Sequence, residues 1–288
     1  TCRSEQPVFL LSAIERMGHM PNVQLLIVGF NRSLSYTVGS INQFVRKPIA
    51  EHASLIDTTY VLSRTHSQLE SLWSSEAGFA EWDIPPDAEA DSVHFVEQHE
   101  IDSKLGELLP WVLGRVRPMD ELHQNVGRNL LRQLWLLNYS LSFVRRDADL
   151  VFYSRPDLRF RSVFPHRVLG VRSSRGRGEP WEVLTPNWGF QPNDRFALLA
   201  PTGVDPYLGR LAKVHDYITL SDESFSGESF LNFALEGIRH RPGLRLTAAR
   251  VRIGGVEVPE RFGQKIYLRP KKRSKVLKAF RRLREKLV

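Results

Sequence analysis

The run VQLLIVGF, residues 23–30, is apolar apart from Gln24 and ends on a glycine followed by Phe30. A strand with one wet face alternates apolar and polar residues, whereas a run without that alternation is the pattern of a strand buried on both faces. Working outward, Asn31-Arg32-Ser33 follows, and Ser33 is placed to cap a helix running through Phe44. A second strand is expected within residues 53–63 and a short third at 92–96. The acidic segment 83–91 between them carries Pro85-Pro86 and reads as a loop. Residues 120–144 hold the clearest helical pattern: Val126, Leu130, Leu134, Leu137, Leu141 and Val144 recur at steps of three and four. A fourth strand, LVFYS at 150–154, follows at once. Strands alternating with helices imply an α/β fold with a largely parallel sheet, whose ligands bind at the carboxyl ends of the strands.

The 288 residues are 42% hydrophobic and 25% charged, which suits a globular chain able to bury a large core. No apolar run reaches the roughly 18–20 residues of a membrane span, and residues 7–14 are too short and lack the basic front of a signal peptide. Cys2 is the single cysteine, so no internal disulfide or thiolate metal cluster is expected, and a reducing compartment suits the chain. The net charge of +8 is unevenly placed. Residues 261–288 carry twelve Lys/Arg against Glu285 alone, which leaves the preceding body slightly acidic. That argues against nucleic acid as a partner, since a nucleic-acid-binding core spreads its cations over a folded face. The expected organisation is one folded domain over residues 1–262 and a basic amphipathic tail over 263–288. In the tail, Val276, Phe280, Leu283 and Leu287 form one apolar stripe ringed by Lys275, Lys278, Arg281, Arg282 and Lys286. Such a helix suits the plane of an anionic membrane surface; docking on the body or on a second subunit is the other reading.

Four constellations can carry chemistry. Arg32 stands just past the first strand, where a guanidinium can pair bidentately with a diphosphate; a surface arginine beside a helix cap is the plainer account. The chain holds neither GxGxxG nor GxxxxGK[ST], so no glycine-rich phosphate loop is present. Asn125, Asn129 and Arg132 share one face of the long helix, and asparagines are poor choices for a merely solvated helix interior. Arg155-Pro156-Asp157 ends the fourth strand, because proline cannot continue a central strand, and sets Asp157 at the cleft edge. There a carboxylate can reach a divalent ion, magnesium or manganese, bridging a diphosphate. Finally, Asp194 in Asn193-Asp194-Arg195-Phe196 and Glu228 in Gly227-Glu228-Ser229-Phe230 are carboxylates able to take or orient an acceptor proton. Asp194 can equally be a turn residue held by Arg195, and Glu228 a first-turn acid favoured by the helix dipole. Trp181 and Trp188 can offer an indole face to a pyranose or simply fill the core.

Taken together, NLLRQLWLL, DLVFYSRPDLRF, PNWGFQPNDRFALLAP and SGESFLNFAL resemble a set of GT-A-type glycosyltransferase domains. Those domains occur in capsule and surface-polysaccharide loci and in plant, algal and large-virus relatives. The resemblance runs from about residue 23 to 251, with RPDL, NDRF and the ESFL helix start as its most specific pieces. It implies a single Rossmann-like GT-A domain, a mostly parallel mixed sheet flanked by helices. It implies a nucleoside diphosphate sugar as donor and a saccharide or lipid-linked acceptor, with Arg32, Asn129, Arg132, Arg155 and Asp157 on the donor side. Asp194 and Glu228 would be the catalytic acids and Trp188 a sugar platform. Asp157 matches the last Asp of the Asp-x-Asp metal motif, but Arg155 stands where the first Asp belongs. The diphosphate would then be neutralised by a metal on Asp157, by the arginine, or by both. An enzyme of this kind, held by its tail, would work on the cytoplasmic face of a membrane. A catalytically inactive Rossmann-like nucleotide-binding or scaffold protein, or a nucleotidyltransferase on a similar fold, are the competing expectations.

Overall fold

The computed structural model describes residues 20–65, 69–71, 76–116, 121–170, 181–258, 260, 262 and 265–267. The expected tail over 263–288 lies outside these residues apart from the short strand at its start. The fold is α/β. Its frame is a seven-stranded mixed sheet built from β1 (Asn22–Phe30), β2 (Leu55–Arg64), β3 (Ser92–Glu97), β4 (Leu150–Ser154), β6 (Val183–Pro186), β8 (Phe196–Leu199) and β9 (His240–Leu244). Across the sheet the order is β9-β6-β8-β4-β1-β2-β3. The last four of these are mutually parallel, β8 runs antiparallel to both of its neighbours, and β9 is parallel to β6. A smaller sheet joins β5 (Leu158–Phe160), β10 (Ala248–Val251) and β11 (Glu257–Val258), and β7 (Gly189–Gln191) pairs with β12 (Lys265–Tyr267).

The apolar run of β1, broken only by Gln24, is explained by cores on both faces of the sheet. Leu26 and Val28 point to one face, where α2 (Gln98–Leu105), α3 (Leu108–Leu113), α4 (Glu121–Ser140), α5 (Pro201–Leu208), α6 (Val214–Leu220) and α7 (Gly227–Ala234) supply the covering side chains. Leu25 and Ile27 point to the other, covered by α1 and by residues of the smaller sheet such as Leu158, Phe160 and Ala248. Here α1 begins at Leu34–Ile41 and continues through a π-helical turn, Asn42–Arg46, to Lys47–Ala50. The buried polar residue in β1, Gln24, is fully satisfied. Its amide donates to Thr59 Oγ1 (3.0 Å) and the Phe143 carbonyl (2.9 Å), and its Oε1 accepts from the Arg145 amide (2.9 Å).

Two expectations need correcting. Ser33 occupies the position before α1, but its hydroxyl makes no cap; it donates to the Val251 carbonyl at 2.9 Å, tying the smaller sheet to the helix start. Val126 does not join the buried stripe of α4 and is 43% exposed. Its neighbour Gly127 makes the contact instead: a Cβ there would lie 2.6 Å from Val116 Cγ2, so the helix needs a glycine to approach that segment. Among the described residues, no helix is long and apolar enough to cross a membrane.

Candidate functional site

The carboxyl ends of β1 and β4 and the start of β8 meet at one edge of the sheet, because β8 runs opposite to its neighbour β4. The approach is close. A Cβ on Gly29 would stand 2.6 Å from Pro156 Cδ, so only glycine lets the turn after β4 lie over the end of β1. Thr37 of α1 holds the same turn by donating to the Pro156 carbonyl at 2.6 Å, and the Val251 amide donates to the Asp157 carbonyl at 2.8 Å. The result brings Arg32 and Asp157 together across 125 residues of sequence.

Asp157 is 2% exposed, and both of its carboxylate oxygens are occupied by guanidiniums. Arg155 grips it bidentately, Nε to Oδ1 at 2.8 Å and Nη2 to Oδ2 at 2.7 Å, and Arg32 Nη2 reaches Oδ2 at 2.6 Å. Burial alone would push this carboxyl up, but the charges of Arg155 and Arg32 outweigh it and hold it well below the usual carboxylate range. Burial works against the Arg155 charge as well, and the Asp157 carboxylate more than compensates, so its pKa is raised. Asp157 is therefore committed to two cations of the protein itself. A divalent ion at its oxygens would have to displace a guanidinium, and the donor set does not fit a metal of the kind expected. Among the described residues no group of three or more His, Cys, Asp or Glu side chains is arranged to hold a metal ion.

The two candidate acids also meet. Asn193 pins the turn before β8, its amide donating to the Trp188 carbonyl (2.8 Å) and its Oδ1 accepting from the Arg195 amide (3.0 Å). Asp194 follows, 6% exposed, with Arg195 Nη1 at 3.3 Å from its Oδ1. Helix α7 starts against it: a Cβ on Gly227 would lie 3.0 Å from Asp194 Oδ2. Ser226 caps α7 by accepting from the Ser229 amide, and Glu228 sits in the first turn. Burial, and then the negative charge of Asp194, push the Glu228 carboxyl above its ordinary value, and Arg195 and Arg250 only partly offset this. Glu228 is thus a half-buried carboxyl pushed up beside a second acid.

The remaining expected residues lie elsewhere. Arg132 is bonded bidentately to Asp102 of α2 (2.7 and 2.6 Å) and donates to Asn129 Oδ1 at 3.1 Å. That network joins α2 to α4 beside the end of β3, two strands away from β1, and it makes no contact with Asp157 among the described residues. Trp188 is a correction. It is 1% exposed, its indole N–H donates to the Leu246 carbonyl at 2.7 Å, and Phe196 and Phe262 lie against its ring. It fills the core and presents no face to a sugar; Trp181, 6% exposed, is likewise buried.

Two members of the cluster carry no motif. Arg250 of β10 donates to Glu260 Oε1 at 2.9 Å, and the same oxygen lies 3.8 Å from Arg195 Nε. Periodicity could not have found Arg250, whose place beside Asp157 comes from pairing of β10 with β5. A search of protein-family models and of curated proteins found no match to this chain.

Proposed function

We propose that the chain is a glycosyltransferase of GT-A type, moving a sugar from a nucleoside diphosphate sugar to a saccharide or lipid-linked acceptor in the synthesis of surface glycans. The observation that carries this reading is the convergence, at one sheet edge, of a guanidinium-clamped acid (Arg32, Arg155, Asp157) with a carboxyl pair (Asp194, Glu228). A mostly parallel mixed sheet flanked by helices is the architecture such a domain requires. In the reaction the acceptor oxygen bonds to the anomeric carbon while the bond from that carbon to the diphosphate breaks. The diphosphate leaves with the electron pair, facing the preorganised charge of Arg32 and Arg155. The acceptor proton passes to the carboxyl pair, with Glu228 the acid whose pKa is raised and which is therefore the better proton acceptor once ionised. Asp157 fixes the two guanidiniums in place. Arg132 and Asn129 would reach only the nucleoside end of the donor.

The donor is tested by thermal shift with a panel of nucleoside diphosphates. At a hundredfold excess over Kd the matching nucleotide should raise Tm by about 5–10 °C. A protein that responds to none, and hydrolyses none of the common nucleotide sugars, would be a scaffold. A preference for triphosphates with magnesium would point to nucleotidyl transfer.

In the same reading the basic tail over 263–288 holds the enzyme on the cytoplasmic face, beside an acceptor in an anionic membrane. The full chain should sediment with anionic vesicles at low salt and be released at high salt, and a chain ending near Arg269 should not sediment. Equal sedimentation of the two chains would remove the membrane from the account.

A further inference from the structure

The cations at this sheet edge outnumber what clamping Asp157 requires. Arg155 and Arg32 pair with that acid, and Arg195 and Arg250 approach from two other elements, β8's leading turn and β10. Backbone bonds fix where they stand. The Arg155 amide donates to the Arg195 carbonyl at 3.4 Å, and Arg250 is paired in register with Leu158, the residue after Asp157. Both side chains are mostly buried, 15% exposed for Arg195 and 24% for Arg250. Arg195 Nη1 pairs with Asp194 at 3.3 Å, and the two arginines share a second carboxylate, Glu260, which bonds Arg250 at 2.9 Å and stands 3.8 Å from Arg195 Nε. That Nε is buried and donates to no atom among the described residues. Burial, and then repulsion from Arg195 and Arg155, press on the Arg250 charge and lower its pKa. Three guanidiniums crowded together, with one buried N–H left without an acceptor, are what a multiply charged anion would complete.

We propose that Arg195 and Arg250, with Arg155, form a diphosphate seat that works without a divalent cation. On the glycosyltransferase reading, the seat holds the donor's diphosphate and the leaving group after transfer. Its chemistry, paired guanidiniums against phosphate oxygens, would equally hold free pyrophosphate.

The test is calorimetric titration of the full chain with inorganic pyrophosphate in EDTA, followed by the nucleoside diphosphates under the same conditions. Pyrophosphate should bind the wild-type chain, and Arg250→Gln should weaken it at least tenfold. The Tm of ligand-free Arg250→Gln should be unchanged or higher, because a repelling charge is removed and Glu260 keeps Arg195. A merely structural arginine would behave the other way, with Tm falling and pyrophosphate affinity unaltered in the folded fraction. Should that variant fold poorly, Arg195→Gln and Arg250→Lys carry the same comparison, with Lys retaining part of the affinity. Binding of pyrophosphate with no gain from any nucleoside would uphold the seat and remove the nucleotide-sugar donor. Absence of pyrophosphate binding in EDTA, with nucleoside diphosphates bound only when manganese is added, would overturn the seat and leave the donor reading standing.

Discussion

Asp157→Asn is expected to lower transfer at least a hundredfold and to cost about 3–5 kcal/mol of stability, a fall in Tm of roughly 10 °C. From its position alone, the residue would be predicted to affect activity without unfolding the protein. Its surroundings change that. The carboxylate is 2% exposed and neutralises both Arg155 and Arg32, so an amide in its place leaves two largely buried guanidiniums facing each other. The activity loss follows from the same geometry, since the arginines that would meet the leaving group lose the anchor that aims them. The double variant Asp157→Asn with Arg155→Gln should recover much of the stability and none of the activity, because it removes a cation along with the anion. The pH dependence has a definite sign. The folded carboxyl is held well below its unfolded value near 3.8, so its stabilising contribution is present above that value and is lost as pH falls toward the folded one. Wild type and Asp157→Asn should thus differ most near neutral pH and converge in acid. Identical Tm and rate across that range would refute the role given to Asp157.

The parts of this architecture that were legible in the sequence are those governed by local pattern. Buried parallel strands read as largely apolar runs without alternation, and residues 23–30 and 150–154 do so because both faces of β1 and β4 are covered. Arg155-Pro156-Asp157 was legible for a related reason, since proline must end the strand and leave the acid at its mouth. What depended on distant partners was not. Phe196–Leu199 has the composition of any buried strand, and nothing in FALL reveals that it runs antiparallel. Arg132 looked like a ligand-facing cation because its partner, Asp102, lies 30 residues upstream on a helix with little apolar periodicity. Ser33 had the sequence context of a cap, yet its hydroxyl reaches Val251, 218 residues later. An indole face can stack on a pyranose, which makes Trp188 a candidate platform; packing decides otherwise, since an indole of that volume with an N–H partner at Leu246 is worth more inside. Arg250 sits in AARVRIGG, which carries no signal at all; only the pairing of β10 with β5 makes it part of the site.

Glu228→Gln should reduce kcat by a hundredfold or more, leave donor affinity near wild type, and make the protein more stable at neutral pH. Glutamine keeps the size and the hydrogen-bonding reach of the side chain but cannot take a proton. The gain in stability follows from the direction of the shift. Burial and the charge of Asp194 raise the Glu228 carboxyl, so the fold favours its protonated form, and stability is lost as pH rises through the raised value. An amide mimics the protonated acid at every pH and should escape that loss. Catalysis runs in the opposite sense, since proton acceptance requires the ionised form. The rate of the wild type should therefore climb as pH rises through the raised value, over the same interval in which the fold becomes less stable. Asp194→Asn separates the two acids. Removing its negative charge relieves Glu228 and lets it ionise at lower pH, so the rising limb of the pH–rate profile should move toward acid if Glu228 is the base. If Asp194 is the base instead, its amide variant should lose activity at all pH values, and Glu228→Gln should retain a kcat close to wild type. Should both variants turn over normally, the acceptor proton is taken by neither carboxyl, and the pair is a structural feature of the turn before β8 and the start of α7.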